Sequence, residues 1–297
     1  MIVTRFAPSP TGDLHLGGVW TALASSAFAR AHGGKMLLRV EDIDPPRVVP
    51  GSVDRILDDL AWLGLEGEGS PVFQSARTAI YEDALRRLGG AGLTYPCDCS
   101  RAEIARIASA PHAGEETRET MYPGTCRDAS PDRAFKRAPS LRFRVPQGRI
   151  VSFRDALHGV IEEDVAATIG DFVLRRADGV FSYQLVVAVD DAAMGVTDVI
   201  RADDLLGSAA RQVLLMELLG HATPPTYAHL PLVVAPDGTR LAKRTKGITV
   251  RELRERGVPA RTILDTLAQG LFGTVPPPLP PPAQWRRIPW PVPSFEE

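Results

Sequence analysis

The first 40 residues combine a strand, a turn rich in proline and glycine, a helix and a second strand. The strand is the β-rich run Ile2–Phe6, and the turn follows it as Ala-Pro-Ser-Pro-Thr-Gly. From Gly18 onward apolar residues recur at helical spacing up to a pair of glycines, after which Lys35–Val40 is again β-like. A strand–helix–strand unit of this length places its two strands side by side and parallel. The sequence therefore predicts an α/β fold built on a parallel sheet.

The alternation of strands and helices continues with one interruption and a proline-rich end. Helical patterns follow at about 51–64 and 78–91, and the next stretch holds every cysteine and only short β-like pieces. The alternation resumes with Asp171–Arg176, Phe181–Val189, a helix near 203–219, the apolar run Leu230–Ala235 and a last helix over about 249–270. We therefore expect one main domain in two halves (1–94 and 166–273), a small insertion (95–165) and a tail of polyproline type (274–297).

Composition and charge exclude several classes of protein. Apolar residues make up 44% and charged residues 24% of the 297, which is typical of a globular chain rather than a disordered or collagen-like one. The 34 basic and 36 acidic residues leave a net charge of −2, which argues against a generally basic nucleic-acid coat. No apolar run approaches the ~20 residues that cross a bilayer, and the first residues lack the pattern of a secretory signal. We expect a cytoplasmic protein that contacts no membrane.

One motif lies between the first strand and the first helix, where residues 8–18 read Pro-Ser-Pro-Thr-Gly-Asp-Leu-His-Leu-Gly-Gly. At the carboxyl end of a parallel strand, such a loop and the helix that follows form an anion site. Gly17 and Gly18 let a nucleotide approach the backbone, and His15 can donate hydrogen bonds to phosphate oxygens. Taken alone, the string is more often a proline-rich turn with an incidental histidine.

A second motif is the cationic loop Arg-Leu-Ala-Lys-Arg-Thr-Lys-Gly at residues 240–247. The chain has only four lysines, and two of them, Lys243 and Lys246, lie in this loop. Clustered cations on a loop can stabilise the charge of a leaving pyrophosphate. Taken alone, a solvated basic loop is the commoner interpretation.

Together the two motifs resemble the signature pair of the class I aminoacyl-tRNA synthetases, and further matches narrow the resemblance to the glutamyl subgroup. These matches are in the expected order over about 240 residues: Arg-Phe-Ala-Pro-Ser-Pro-Thr-Gly at 5–12, Leu-Arg-Val-Glu-Asp-Ile-Asp at 38–44, Tyr183 ahead of Asp190-Asp191, and Arg201 in Val-Ile-Arg-Ala-Asp-Asp-Leu-Leu. The resemblance implies a Rossmann-like sheet. The main domain is then a nucleotide-binding catalytic domain, with the lysine loop and C-terminal helices in its second half.

The resemblance also implies roles for individual residues. A glutamate pocket must hold two carboxylates and one ammonium group; arginine grips a carboxylate bidentately and Glu41 supplies a negative charge. The implied L-glutamate contacts are Arg5, Phe6, Ala7, Pro8, Ser9, Glu41, Tyr183 and Arg201. The implied ATP contacts are Pro8, Gly12, His15, Gly17, Gly18 and Lys243, with Mg²⁺ accompanying the ATP. His15 and Lys243 are the implied catalytic residues.

The second motif departs from the family pattern. The usual string is Lys-Met-Ser-Lys-Ser or a near relative, whereas residues 240–244 read Arg-Leu-Ala-Lys-Arg. Lys243 corresponds to the second lysine, while both serines and the first lysine are replaced. Because the positive charge is kept, we expect the chain to be active.

All three cysteines fall in the predicted insertion, as Cys97, Cys99 and Cys126. In a cytoplasmic chain such a cluster favours a metal over disulfides, and two cysteines separated by one residue are too cramped to bridge each other. Zn²⁺ takes four ligands and is well suited to thiolates, so the fourth ligand is Tyr122 or His112. Tyr122, four residues before the last cysteine, resembles the ligand of a known subgroup of these enzymes and is the preferred choice. We expect one structural zinc, with three unligated thiols as the alternative.

The length of the chain narrows the resemblance further. Glutamyl-tRNA synthetases continue after the second motif into a helical anticodon-binding region, whereas only about 50 residues follow Lys246. This pattern resembles the glutamyl-Q tRNA(Asp) synthetases, which activate glutamate with ATP and esterify it to the queuosine base of tRNA(Asp). The expected partners are L-glutamate, ATP and tRNA(Asp) carrying queuosine, and the chain is expected to be a monomer. A truncated glutamyl-tRNA synthetase that charges tRNA(Glu), or a non-catalytic RNA-binding paralogue, remains the alternative.

Overall fold

The computed structural model describes residues 1–108, 121–221, 223–234, 248–272 and 288–289. Its strands are β1 Val3–Phe6, β2 Lys35–Val40, β3 Val72–Phe73, β4 Thr94–Cys97, β5 Ser140–Phe143, β6 Ile150–Asp155, β7 Gly159–Asp164, β8 Phe172–Arg175, β9 Asp198–Ala202, β10 Thr226–Leu230, β11 Val233–Val234 and β12 Ile288–Pro289. Its helices are α1 Leu16–Ala31, α2 Ser52–Leu63, α3 Thr78–Gly90, α4 Arg101–Ala108, α5 Val165–Thr168, α6 Tyr183–Ala193, α7 Ala209–Leu218, α8 Val250–Glu255 and α9 Ala260–Phe272. Lys243 with the rest of loop 240–247, His112 and most of the tail lie outside these ranges.

Two groups of parallel strands meet side by side in the main layer. The first group has the order β3-β2-β1, and in the second β9, β10 and β6 are parallel neighbours. Where β1 and β9 meet, Thr197 N–H donates to the carbonyl of Val3 (2.9 Å) and Val3 N–H donates to Thr197 Oγ1 (2.8 Å). The carboxyl ends of β1, β2, β9, β10 and β6 therefore reach one edge, which confirms the predicted α/β fold with a parallel sheet.

Apolar residues on both faces of this layer form two clusters. Helix α1 packs Leu16, Val19 and Trp20 into one cluster, together with α2 and α9. Helices α3, α6 and α7 cover the other cluster, which contains Tyr227 and Phe153 of the sheet. Burial of apolar surface on both sides holds the strand ends in place.

The interrupted region of the sequence contributes two antiparallel pairings. Strands β4, β5 and β8 form a separate antiparallel sheet, and β6 and β7 form a hairpin. Strand β8 begins after residue 165, and β6 joins the main layer through the pair Tyr227 and Asp155. Strand β5 lies inside the predicted insertion and pairs with β8, which lies beyond residue 165. The predicted boundaries at 94 and 165 therefore do not separate two independent sheets, and they stay a prediction.

Helix positions follow the sequence pattern with two differences. The helices predicted at about 51–64 and 78–91 are confirmed as α2 and α3. The last predicted helix is two helices, α8 and α9, because Gly257 adopts a left-handed φ of +77° between them and Pro259 follows. The second difference concerns Phe181–Val189, most of which is part of helix α6. This helix begins after Ser182, and the Ser182 side chain caps it by accepting a hydrogen bond from Leu185 N–H. Within the described residues, no helix is long and apolar enough to cross a membrane.

Candidate functional site

Buried charges gather where β1, β2 and α6 meet. Arg5 on β1 is 4% exposed, and its Nε lies 3.2 Å from Asp191 Oδ1 on α6. Arg39 on β2 is fully buried and donates from Nη1 to the same oxygen (2.5 Å) and from Nη2 to Glu41 Oε1 (3.2 Å). Two guanidinium groups and two carboxylates are thus held together, as buried charges require.

The neighbouring Asp190 anchors this group to the segment after β3. Its carboxylate accepts hydrogen bonds from Gln74 Nε2 (2.9 Å), Arg77 Nε (2.7 Å) and the Tyr81 hydroxyl (2.8 and 3.0 Å). Because Asp190 is fully buried and has several donors, it fixes the end of α6 that also carries Asp191. The position of Asp191 between the two arginines therefore depends on a second set of contacts.

The two carboxyls that face the arginines have opposite pKa shifts. Burial raises the pKa of Glu41, and the charges of Arg39 and Arg5 only partly offset this effect. Burial acts in the same direction on Asp191, but Arg39 and Arg5 outweigh it and lower the pKa of that carboxyl. Asp191 therefore stays ionised as the partner of both arginines. Glu41 gains stabilisation of its charged form from any further cation that enters the site.

Tyr183 and Arg201 join the same site from α6 and β9. Burial raises the pKa of the Tyr183 phenol, and the charges of Arg201, Glu41 and Arg5 also act on it. Arg5 Nη1 donates to the carbonyl of Ile200 (3.4 Å), the residue before Arg201 on β9. Arg201 is 4% exposed, and its guanidinium lies 5.3 Å from the centre of the Tyr227 ring. The Tyr227 hydroxyl is buried and has no hydrogen-bond partner among the described residues.

The turn before α1 places His15 at the N-terminus of the helix. His15 is the N-cap of α1, and its Nδ1 accepts a hydrogen bond from Gly18 N–H (3.2 Å). His15 is exposed in part, and the desolvation of its ring by neighbouring residues lowers its pKa, which favours the neutral form. Because Nδ1 accepts from Gly18 N–H, the proton of the neutral ring is on Nε2. The turn is also fixed to its surroundings, because Glu41 N–H donates to the carbonyl of Pro8 (2.9 Å). A donor on Nε2 at a helix N-terminus suits an anionic oxygen.

The first described residues after loop 240–247 lie against this turn. Leu16 N–H donates to the carbonyl of Ile248 (3.2 Å), and Val250 N–H donates to the carbonyl of Leu14 (2.8 Å). His15 and Thr249 form an isolated antiparallel bridge. The end of the lysine loop is therefore tethered at His15, although Lys243 itself lies outside the described residues.

The three cysteines form a cluster that suits a metal ion. The Sγ atoms of Cys97, Cys99 and Cys126 all lie within 4.8 Å of one another, and none is in a disulfide. The Tyr122 hydroxyl is 3.3 Å from Cys97 Sγ and 3.8 Å from Cys99 Sγ. Burial and the neighbouring sulfurs raise the pKa of Cys99 to about 11, whereas at Cys97 hydrogen bonds, that with Tyr122 first, outweigh burial and lower the pKa. A bound cation would stabilise the thiolate form of all three cysteines. This four-atom donor set fits Zn²⁺; His112 lies outside the described residues.

The chain matches the family described as tRNA synthetases class I (E and Q), catalytic domain, over residues 1–276. It is 50% identical over 259 residues to a glutamyl-Q tRNA(Asp) synthetase of Geobacter sulfurreducens. The aligned region covers 86% of this chain and 81% of the relative. A relative with the same name from Nitratidesulfovibrio vulgaris is 45% identical over 289 residues, covering 93% of this chain and 88% of the relative. The chain belongs to the glutamyl-Q tRNA(Asp) synthetase family. As a class I synthetase catalytic domain, it is a ligase of the aminoacyl-tRNA synthetase type.

Solved structures agree with this family membership. A glutamate tRNA ligase of Elizabethkingia meningosepticum, solved with its amino acid, superposes with a TM-score of 0.76 at 28% identity over 97% of this chain. The chain spans 62% of the length of that ligase. A methionyl-tRNA synthetase of Mycobacterium tuberculosis shares the fold at 12% identity, with a TM-score of 0.60.

Several site residues were not selected from the sequence. Arg39 lies near the end of the strand Lys-Met-Leu-Leu-Arg-Val, which is apolar between Lys35 and Arg39. An arginine next to these apolar residues in a buried strand is the signal that identifies it. The sequence shows Asp191 only as part of a motif and does not indicate that it pairs with Arg5 and Arg39. His229 and Tyr227 carry no sequence signal of their own, since nothing local distinguishes them from core residues of β10.

Proposed function

We propose that this chain uses ATP to activate L-glutamate as glutamyl-adenylate and then transfers the glutamate to the queuosine base at the wobble position of tRNA(Asp). One observation carries the proposal: Arg5, Glu41 and Arg201 lie at the strand ends of the edge that also carries the turn at His15. Arg5 donates to the carbonyl of Ile200, next to Arg201 (3.4 Å), and shares Asp191 with Arg39, the partner of Glu41. The names of the relatives support the acceptor.

Each step of activation has residues of this chain to support it. Arg5 and Arg201 hold the carboxylates of glutamate, and Glu41 faces its ammonium group, with Ser9 and Tyr183 alongside. The α-carboxylate attacks the α-phosphorus of ATP, and the bond to pyrophosphate breaks. His15 Nε2–H donates to the phosphates as their charge grows, and Lys243 supplies positive charge to the leaving pyrophosphate. A Mg²⁺ ion that accompanies ATP would add further positive charge to the same phosphates. The proposed glutamate contacts also include Phe6, Ala7 and Pro8, and the proposed ATP contacts include Pro8, Gly12, Gly17 and Gly18.

The transfer step joins the activated glutamate to a hydroxyl of the queuosine cyclopentene ring. That hydroxyl attacks the carbonyl carbon of the mixed anhydride, and the bond between this carbon and the phosphate oxygen breaks. AMP departs as the leaving group, and the hydroxyl proton passes to solvent water. The proposed enzyme is cytoplasmic, since its tRNA and ATP substrates are found in the cytoplasm. It is also proposed to be a monomer. Light scattering during size-exclusion chromatography measures the number of chains directly.

Charging assays test the acceptor. Glutamate-dependent exchange of pyrophosphate into ATP is expected without tRNA, and labelled glutamate is expected on tRNA(Asp) that carries queuosine. No labelling is expected of the same tRNA without queuosine or of tRNA(Glu). Labelling of tRNA(Glu) would instead favour the truncated glutamyl-tRNA synthetase. Equal labelling of tRNA(Asp) with and without queuosine would exclude queuosine as the acceptor. Absence of pyrophosphate exchange would favour a non-catalytic paralogue.

We further propose that Cys97, Cys99, Cys126 and Tyr122 hold one structural Zn²⁺. The purified protein is expected to contain about one zinc per chain, because four donors satisfy its tetrahedral preference. Tyr122→Phe is expected to lower the zinc content after dialysis against a weak chelator, whereas His112→Ala is the control and is expected to keep it. Loss of zinc in His112→Ala alone would assign the fourth ligand to histidine, and metal-free wild-type protein would contradict the site.

A further inference from the structure

A buried chain of three polar side chains joins Arg201 to the interior of the sheet. Arg201 Nε donates to His229 Nε2 (2.9 Å), and His229 Nδ1 lies 2.6 Å from Asp155 Oδ2. The exposed fractions of Arg201, His229 and Asp155 are 4%, 1% and 1%. The three residues belong to the parallel strands β9, β10 and β6, and His229 and Arg201 are direct neighbours in the strand register. We call these three residues the Asp155–His229–Arg201 relay.

The hydrogen bonds determine where the proton of the imidazole lies. A guanidinium group only donates hydrogen bonds, so His229 Nε2 must accept and carries no proton. The ring proton is therefore on Nδ1 and is donated to Asp155 Oδ2. Burial, reinforced by the charge of Arg201, lowers the pKa of His229 despite its bond to Asp155, so the ring stays neutral. This tautomer is the one that can hold Arg201.

Asp155 is fixed by four donors. Its Oδ1 accepts from the N–H groups of Leu157 (2.9 Å) and His158 (3.0 Å), which closes the turn after β6. Its Oδ2 accepts from the backbone N–H (3.2 Å) and the ring of His229. These bonds outweigh burial and lower the pKa of Asp155, so the group is ionised. Both oxygens act only as acceptors, a role that an amide cannot reproduce on both sides.

Arg201 has little freedom left once these contacts are made. Besides the bond from Nε to His229, Nη1 donates to Gln212 Oε1 (2.7 Å) and Nη2 donates to the carbonyl of Leu205 (3.1 Å). Among the described residues, these contacts leave one N–H on each terminal nitrogen without a partner, an arrangement that can receive a carboxylate. The guanidinium is therefore oriented before a ligand arrives.

We propose that Asp155 and His229 are positioning residues: they orient Arg201 and through it set the affinity of the site for a carboxylate of glutamate. This inference rests on the proposed function, in which Arg201 binds glutamate. Neither residue touches ATP in this scheme, so their effect is confined to the amino acid.

Two substitutions of His229 separate positioning from mere support of the fold. In His229→Gln the amide oxygen can occupy the place of Nε2 and accept from Arg201. In His229→Asn the amide lies near the place of Nδ1, so the bond to Asp155 is kept and the bond to Arg201 is lost. We expect the glutamate KM in pyrophosphate exchange to rise about 10- to 100-fold in His229→Asn, the scale of one hydrogen bond to a charged group, and less in His229→Gln. The ATP KM is expected to stay unchanged in both.

Asp155→Asn tests the other end of the relay with an isosteric change. Its NH₂ group must face either the turn or His229, and facing His229 it forces the ring proton to Nε2, against Arg201. The glutamate KM is expected to rise as in His229→Asn, again without a change for ATP. Equal KM rises in the Gln and Asn variants of His229, or a rise for ATP alone, would overturn the positioning role.

The tautomer of His229 is a readout that does not depend on activity. In ¹⁵N-histidine NMR spectra of the wild-type protein, with the His229 signals identified by their loss in His229→Gln, we expect a protonated Nδ1 and an unprotonated Nε2. A protonated Nε2 would overturn the relay. Absence of glutamate-dependent exchange in the wild type would contradict the proposed function and the effect on glutamate, while the tautomer would still show whether the relay holds Arg201.

Discussion

Replacing Asp191 by alanine is expected to cost about 3–5 kcal/mol of unfolding free energy, the range for removing one partner of a buried ion pair. Asp191 is 1% exposed and neutralises Arg5 and Arg39, which are 4% and 0% exposed. After the substitution both guanidinium groups keep their burial and lose their shared partner. Arg39 retains Glu41 at 3.2 Å, but among the described residues Arg5 has no second carboxylate within salt-bridge distance. Urea unfolding of the ligand-free protein measures the loss.

An exposed aspartate provides the matched control. Asp58 pairs with Arg251 and Arg254, and its side chain is 54% exposed. Pairs of this kind contribute little because water screens them, so Asp58→Ala is expected to change stability far less than Asp191→Ala. Equal losses in the two variants would contradict the view that burial of the charges makes Asp191 important.

The pH dependence of stability gives a second test of Asp191. Its folded-state pKa lies below the usual value, so its ionised form contributes stability above the pKa of an unfolded aspartate, ~4. This contribution is lost as the pH falls through the folded-state pKa. The stability difference between wild type and Asp191→Ala is therefore expected to shrink in strong acid, and a difference that grows there would have the wrong sign.

The parts of the fold that are local in sequence were predictable. The strand Ile2–Phe6, the Pro-rich turn and the strand Lys35–Val40 were expected to pair in parallel, and β1 and β2 do so. The three cysteines were expected to meet, and their sulfurs lie within 4.8 Å of one another. In both cases the signal lies in residues that are near each other along the chain or are of a rare type.

The contacts that build the pocket were not predictable in the same way. Arg5 and Asp191 are 186 positions apart, and Arg201 and His229 are 28 positions apart on different strands. Periodicity reports which face of an element is buried, but it does not report which polar group on another element it meets. The family resemblance implies that Arg5 and Arg201 contact glutamate, and these contacts stay a prediction. Only the three-dimensional arrangement shows that Asp191 and His229 hold them.

Lys243→Ala is expected to reduce the rate of glutamate activation about 10²- to 10³-fold, the scale of losing one positioned donor that stabilises transition-state charge. The reason is that charge moves onto the leaving pyrophosphate, and neutral His15 can donate a hydrogen bond without supplying a full positive charge. Because Ile248 and Val250 are hydrogen-bonded to the turn at His15, the loop that carries Lys243 ends beside the proposed phosphate site. Glutamate-dependent pyrophosphate exchange at saturating substrate measures the rate.

The control for Lys243 is the other lysine of the same loop. Lys246→Ala removes the same charge three positions further along the chain, and we expect less than a tenfold change in exchange. A large loss for Lys243 with a small loss for Lys246 indicates a lysine positioned on the phosphates. If both variants lost activity equally, the loop would act through its overall charge. That result would also explain how a second motif reading Arg-Leu-Ala-Lys-Arg can replace one with two lysines and two serines, since arginines at 240 and 244 keep the loop cationic.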